Sequence, residues 1–228
     1  MVVGDFDFRP GLLPSLVFLL LFPLLVGLGT WQLNRADEKH QLMHDRESRK
    51  DSAAVNLNRS ASLTAADRHK PAMVKGQYLP KPQWLLDNRL YQGRPGYHVF
   101  SLFEVDGATG RKILVNRGWV TLGQKRSFLP DLPLPSGSVT LQGRLDSPAS
   151  VGIELESTEL SALAPVSVVQ HLDLVELSNV LGETLPAYAL VLDEGQPGLL
   201  QRDWRPARLI TPEKHIGYAV QWYALAFA

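Results

Sequence analysis

The chain has no cysteine at all. That excludes a disulfide framework, a thiolate nucleophile, thiol redox chemistry and any Cys-ligated zinc or copper centre. It also lacks a charge imbalance: 23 basic residues meet 23 acidic ones, for a formal net charge of +0. No electrostatic pull toward nucleic acid follows from that balance, and no nucleic-acid partner is expected. The acidic residues are scattered, and the sequence supports no Ser-His-Asp or paired-carboxylate arrangement. No enzyme is expected.

One stretch lacks charge altogether. From Pro10 to Asn34 there is no Asp, Glu, Lys, Arg or His. About 25 residues exceed the ~20 that a helix needs to cross hydrocarbon. Its centre, Leu16 to Leu28, is nearly all Leu, Val and Phe, with Pro23 inside it and Pro14 just before. Membrane helices tolerate proline, so a bend near Pro23 is expected rather than a break. A cleaved secretory signal would want a basic start, a shorter apolar run and a small-x-small site. Here the flank carries Asp5, Asp7 and Arg9, and the run ends in Gly29-Thr30-Trp31-Gln32-Leu33, with Trp31 placed as an interfacial anchor. A retained anchor is therefore expected. Residues 1–9 leave no room for an Arg- and Ser-rich transit peptide, which favours a bacterial over an organellar protein.

Beyond the anchor, Arg35 to Ala54 is dense in both charge signs and reads as a solvated continuation of the helix, with a linker over Asn56 to Pro71. Short β-type runs then follow: Ala72 to Tyr78, Gln83 to Asn88, Tyr97 to Val105, Lys112 to Val120 and Val139 to Leu145. Turn residues separate them, as in Gly93-Arg94-Pro95-Gly96 and the Pro-rich 130–137. The pattern predicts an antiparallel barrel or sandwich. Asp173 and Glu176 stand as N-cap and N3 of a short helix carrying Leu174, Leu177 and Leu181, and a strand is expected over Tyr188 to Leu192.

Thr211 followed by Pro212 signals another helix start, and Ile216 to Ala228 carries no charge. About 14 residues at ~1.5 Å each reach only ~21 Å, short of the ~30 Å of hydrocarbon. An interfacial or buried helix would account for this, as would an incomplete second span; the abrupt apolar end favours truncation. The predicted architecture is thus a membrane protein with a short N-terminal segment at 1–9, a transmembrane helix at 10–34, a mainly antiparallel β-rich domain with a short helix at 35–210, and an incomplete C-terminal transmembrane helix at 211–228.

Candidate binding residues cluster in the last segment. At 100° per residue His215, Tyr218, Ala219 and Trp222 fall on one stripe. An ionisable side chain at the edge of a membrane segment is a functional candidate, and neutral imidazole is a common ligand for haem iron. His215 lies in the first helical turn, where the helix dipole disfavours imidazolium, although Glu213 opposes this. The alternative is an interfacial histidine that only hydrogen-bonds at headgroup level. If both helices cross, Trp31 and His215 share one membrane face, with Trp222 deeper. Gly27 and Gly29 would then admit a second helix or a flat ring. Other candidates are weaker. His40 and His44 stand four apart without a third metal ligand nearby, and His98 and His171, both on predicted strands, read as structural. Arg89 and Arg117, each following an Asn, could bind a carboxylate or propionate or pair within the domain.

As a set these residues resemble the signature blocks of the Surfeit locus protein one family. The blocks are Gly29-Thr30-Trp31-Gln32-Leu33-x-Arg35 with Lys39, Leu85-Leu86-Asp87-Asn88-Arg89, Gly96-Tyr97, Val115-Asn116-Arg117-Gly118-Trp119, and Lys214-His215-x-Gly217-Tyr218-Ala219-Val220-Gln221-Trp222. The resemblance implies a biogenesis factor for haem–copper cytochrome c oxidase in the bacterial inner membrane, multi-pass, with the N-terminus at 1–9 cytoplasmic and the main domain, 35–210, periplasmic. It implies transient haem A binding with His215 as the iron ligand; the helical stripe adds Tyr218 and Trp222, and the shared membrane face adds Trp31, as the residues expected around it. The partners it implies are the oxidase catalytic subunit, haem A synthase and membrane lipid. A scaffold that stabilises an oxidase intermediate without touching haem is the alternative. A copper chaperone lacks its soft ligands here, with no Cys and no Met cluster. One signal opposes the implied topology: Arg35, Lys39, Arg46, Arg49 and Lys50 follow the anchor while only Arg9 precedes it, so the positive-inside rule would keep the domain cytoplasmic. Long translocated domains are weakly governed by that rule, and the family orientation is the one expected.

Overall fold

The computed structural model describes residues 2–3, 6–7, 11–60, 62–107, 110–123, 128–148, 164–201 and 211–227. The flanking Asp5 and Arg9, the boundaries drawn at 9/10 and at 210, and the terminal Ala228 lie outside them. The chain divides into two units, one of residues 1–47 with 208–228, the other of residues 48–207.

In the first unit two dipeptide strands, β1 (Val2–Val3) and β2 (Phe6–Asp7), pair antiparallel. A single helix follows, α1 (Leu12–Lys50), 39 residues long and unbroken at Pro23. At ~1.5 Å per residue it extends about 58 Å, well beyond the ~30 Å of hydrocarbon, so its charged second half continues the helix as expected. Its most apolar 18-residue window has a mean hydropathy of 2.4, yet only 6% of that window is buried. Leu12, Leu13, Leu19 and Leu20 are all more than half exposed. Such a surface belongs in no protein core, which makes α1 a candidate membrane span and indicates membrane association. The unit's other helix, α3 (Pro212–Phe227), has 16 residues. It begins where Thr211-Pro212 predicts, with the Thr211 carbonyl accepting from the Lys214 and His215 amides. Small residues bring the two helices together: Ala36, Ala219 and Ala226 are buried, and Phe22 meets Phe227 edge-on.

The second unit is mainly sheet. Its strands are β3 (Val55–Asn56), β4 (Pro71–Tyr91), β5 (Arg94–Val105), β6 (Lys112–Thr121), β7 (Val139–Asp146), β8 (Val166–Val169) and β9 (Ala189–Leu192), with the helix α2 (Leu174–Leu181) between the last two. Two of the predicted runs, Ala72 to Tyr78 and Gln83 to Asn88, are one strand, β4, irregular in its pairing between Tyr78 and Gln83 where Pro80 and Pro82 interrupt the ladder. Its early residues pair with β7 and its middle residues with β8, while β5 lies along the other edge. The order β4-β5-β6-β9-β7 then returns to β4, so the sheet closes into a small barrel. Pairing is mostly antiparallel, but β6 with β9, β4 with β8 and β3 with β4 are parallel. The expected linker over 56–71 begins in the edge strand β3 and contains a one-turn helix, Ala65–Asp67.

β5 is buried on both faces: Phe103 and Val105 join a cluster with Val74, Leu141 and Leu190, and Phe100 and Leu102 join one with Trp84, Leu114 and Leu177 of α2. Burial on both faces explains why apolar residues stand at both odd and even positions of β5, Val99 and Phe103 as well as Phe100 and Leu102. Asp173 caps α2 as predicted, its Oδ1 accepting from the Val175 and Glu176 amides at 2.8 and 2.9 Å. The reciprocal bond from Glu176 that would complete a capping box is absent among the described residues. His171 lies in the loop between β8 and α2 rather than on a strand, whereas His98 is on β5 as expected.

Candidate cofactor site in the helix pair

The seam between α1 and α3 carries two polar contacts in apolar surroundings. Thr30 bonds the Val26 carbonyl of its own helix at 2.9 Å and meets the Tyr223 hydroxyl at 3.0 Å. Nearer the charged half of α1, the Gln32 side-chain oxygen lies 2.6 Å from Nδ1 of His215. His215 is 7% exposed. Its Nε2, on the far side of the ring, has no hydrogen-bond partner among the described residues.

Gly29 lets the helices approach this closely. A Cβ there would stand 2.7 Å from the Tyr223 ring, so the seam at that level is already filled. Gly27 faces open space, with nothing within 4 Å of a Cβ. Of the two partners the sequence allows at these glycines, Gly29 takes the helix, and no flat ring fits between the helices at that level.

The four candidate residues are not gathered at one point. His215 and Ala219 face α1, Trp222 is half-buried, and Tyr218 at 45% and Trp31 at 53% are open to the surroundings. Adjacent helical residues point ~100° apart, so when Gln32 turns toward α3 its neighbour Trp31 must turn away. Sequence reasoning placed the Gly29-Thr30-Trp31-Gln32 end of the span opposite His215 but gave Gln32 no role of its own. The available signal was an amide side chain closing an otherwise apolar span, where an unpaired polar group would be costly.

Elsewhere, Arg117 answers the question its position raised: it pairs within the domain. It is fully buried, with Nε donating to the Gly198 carbonyl at 2.8 Å, Nη1 to Gln83 Oε1 at 3.0 Å and Nη2 to the Pro133 carbonyl. It also stacks 5.7 Å from the Tyr78 ring centroid. The backbone carbonyl of Arg89 accepts from Trp119 Nε1 at 3.0 Å. His98 is held neutral, its pKa pushed down to about 4 by burial and then by the positive charge of Arg89. Among the described residues no three His, Cys, Asp or Glu side chains gather as a metal cluster.

The chain thus joins a candidate membrane anchor to a mainly-sheet domain, and a histidine is held between its two long helices by a polar contact. It belongs to the SURF1 family, whose model matches residues 19–227. It is similar to a SURF1-like protein of Rickettsia felis, 25% identical over 94% of this chain and 92% of the relative. An uncharacterized SURF1-like protein of Mycobacterium tuberculosis is 28% identical over 95% of this chain and 80% of its own. A SURF1-like protein of Dictyostelium discoideum is 28% identical over 47% of this chain and 43% of its own.

Proposed function

We propose that this chain is a non-enzymatic assembly factor for haem–copper cytochrome c oxidase that binds haem A through His215 and assists its insertion into the catalytic subunit. A role in oxidase assembly fits the SURF1 family, and membership rests on nearly the whole chain. In this reading the protein sits in the bacterial inner membrane through α1 and α3, with the sheet domain in the periplasm and haem A synthase as a further partner.

The observation that carries the haem reading is the state of His215. Its Nδ1 is engaged by a neutral acceptor at 2.6 Å, and its Nε2 has no partner among the described residues. This is how a ligating imidazole is prepared, one nitrogen oriented by a second group and the other free to donate its lone pair. Iron bound there would supply the anchoring bond that holds the porphyrin for transfer. Tyr223 fills the seam at Gly29, so the helices leave no room for a porphyrin between them at that level.

Co-expression with haem A synthesis should yield a coloured protein. Loss of that absorbance in His215→Ala supports the assignment, and an unchanged spectrum refutes it. The filled seam favours a second reading, a scaffold that stabilises an oxidase intermediate without touching haem. Under it, oxidase assembly survives His215→Ala and fails when the outer strands are altered.

A further inference from the structure

From the contact at 2.6 Å we infer that Gln32 is a positioning residue that fixes the tautomer of His215 and sets how firmly it can hold a metal. The inference rests on the reading of His215 as an iron ligand and assigns the regulation of that site to α1.

An amide oxygen carries no proton, so the proton in the contact comes from Nδ1. A neutral imidazole has one ring proton. Placing it on Nδ1 leaves Nε2 as the base, whereas placing it on Nε2 would set two lone pairs against each other at 2.6 Å. With His215 buried, water offers little competition for Nδ1. The ring is also held by position: Gln32 stands one turn from Gly29 and four residues from the buried Ala36, where α1 and α3 touch. The contact joins residues 183 apart in sequence, so it exists only when the two helices are paired.

The identity of the acceptor matters as much as its place. Ligating histidines are commonly backed by a carboxylate, which raises the basicity of the ring and strengthens its bond to metal. A neutral carboxamide orients the ring without pushing electron density into it. Gln32 therefore gives a ligand that is directed but weak, suited to a cofactor that is passed on.

The first measurement needs no cofactor. In the full haem-free chain in lipid nanodiscs, the ¹⁵N shifts of His215 should report a proton on Nδ1, and Gln32→Leu should release the ring to a tautomer mixture. A wild-type ring protonated on Nε2, or an unchanged pattern in Gln32→Leu, would overturn the inference. The second measurement titrates haemin and haem A into the same protein. Gln32→Leu should weaken binding about 10- to 100-fold, the usual effect of losing such a partner. Gln32→Glu should restore binding, lower the midpoint potential and slow haem transfer to apomyoglobin relative to wild type. Equal affinity and transfer rate in all three proteins would also overturn it. If Gln32→Leu does not fold, the wild-type tautomer and the Glu variant still decide. Should His215→Ala leave haem binding intact while the tautomer follows Gln32, the ligand reading fails and the positioning of the ring stands.

Discussion

Arg117 is a guanidinium inside the sheet unit with no carboxylate partner among the described residues. Neutral acceptors hold it: the Gly198 and Pro133 carbonyls and the Gln83 amide oxygen, which also accepts from Ser101 at 2.9 Å. The cation therefore ties β6 to β4 and to two connecting loops. Replacing it strips donors from buried acceptors, each worth about 1–3 kcal/mol when unsatisfied, offset in part by no longer burying a charge. Arg117→Met should lower unfolding stability by on the order of 3 kcal/mol, read from denaturant unfolding in detergent. Arg117→Lys should do no better, because a point ammonium cannot serve three diverging acceptors. A loss below about 1 kcal/mol in both would show that this network is not holding the loops. His98 gives a pH prediction. Its folded pKa of about 4 lies below the usual 6.5, so between these values the unfolded chain binds the extra proton. Stability is then fully present above about 6.5 and falls as pH drops toward 4. The decline is at most about 3 kcal/mol and should be flattened in His98→Gln.

At the scale of elements, α2 is a short helix whose existence depends on its ends. Asp173 satisfies two amides at its start, Gly182 closes it in the left-handed conformation at φ 65°, and Leu174 and Leu177 are buried under it. Asp173→Ala should cost about 1 kcal/mol and speed amide exchange throughout α2 without disturbing β4 to β6. Unchanged exchange in α2 would assign its stability to packing alone. The β6 strand shows a different dependence. Gly118 sits at φ 102°, and a Cβ there would stand 2.4 Å from the Gln201 carbonyl, where the chain bridges back to Trp119. The Asn116-Arg117-Gly118-Trp119 block is thus legible in physical terms: a residue that must lack a side chain lies between a buried cation and an indole that bonds across to β4.

For the whole molecule, a reporter fusion tests on which side of the membrane the sheet unit lies. The basic residues after α1 favour a cytoplasmic sheet unit by charge alone, while the proposed function places it outside. An alkaline phosphatase fusion after Asp146 should be active and a fluorescent protein fused there dark. The reverse pattern would put the sheet unit in the cytoplasm and remove the periplasmic reading.

What the sequence determined by itself was local or periodic. The uncharged run and its helix, the strand segments of the sheet, the cap at Asp173 and the helix start at Thr211-Pro212 all follow from neighbours within a few residues. β8 escaped notice because four residues, Val166–Val169, carry too little pattern. Tertiary structure alone decided what lies far apart in the chain. It merged two predicted runs into β4 and closed the barrel by pairing β4 with β7. It buried Arg117 rather than offering it to a ligand, and set Tyr223 against Gly29. In the same way it turned Gln32, not Trp31, toward His215. Periodicity tells which face of an element is apolar; only packing tells which side chain of another element comes to meet it.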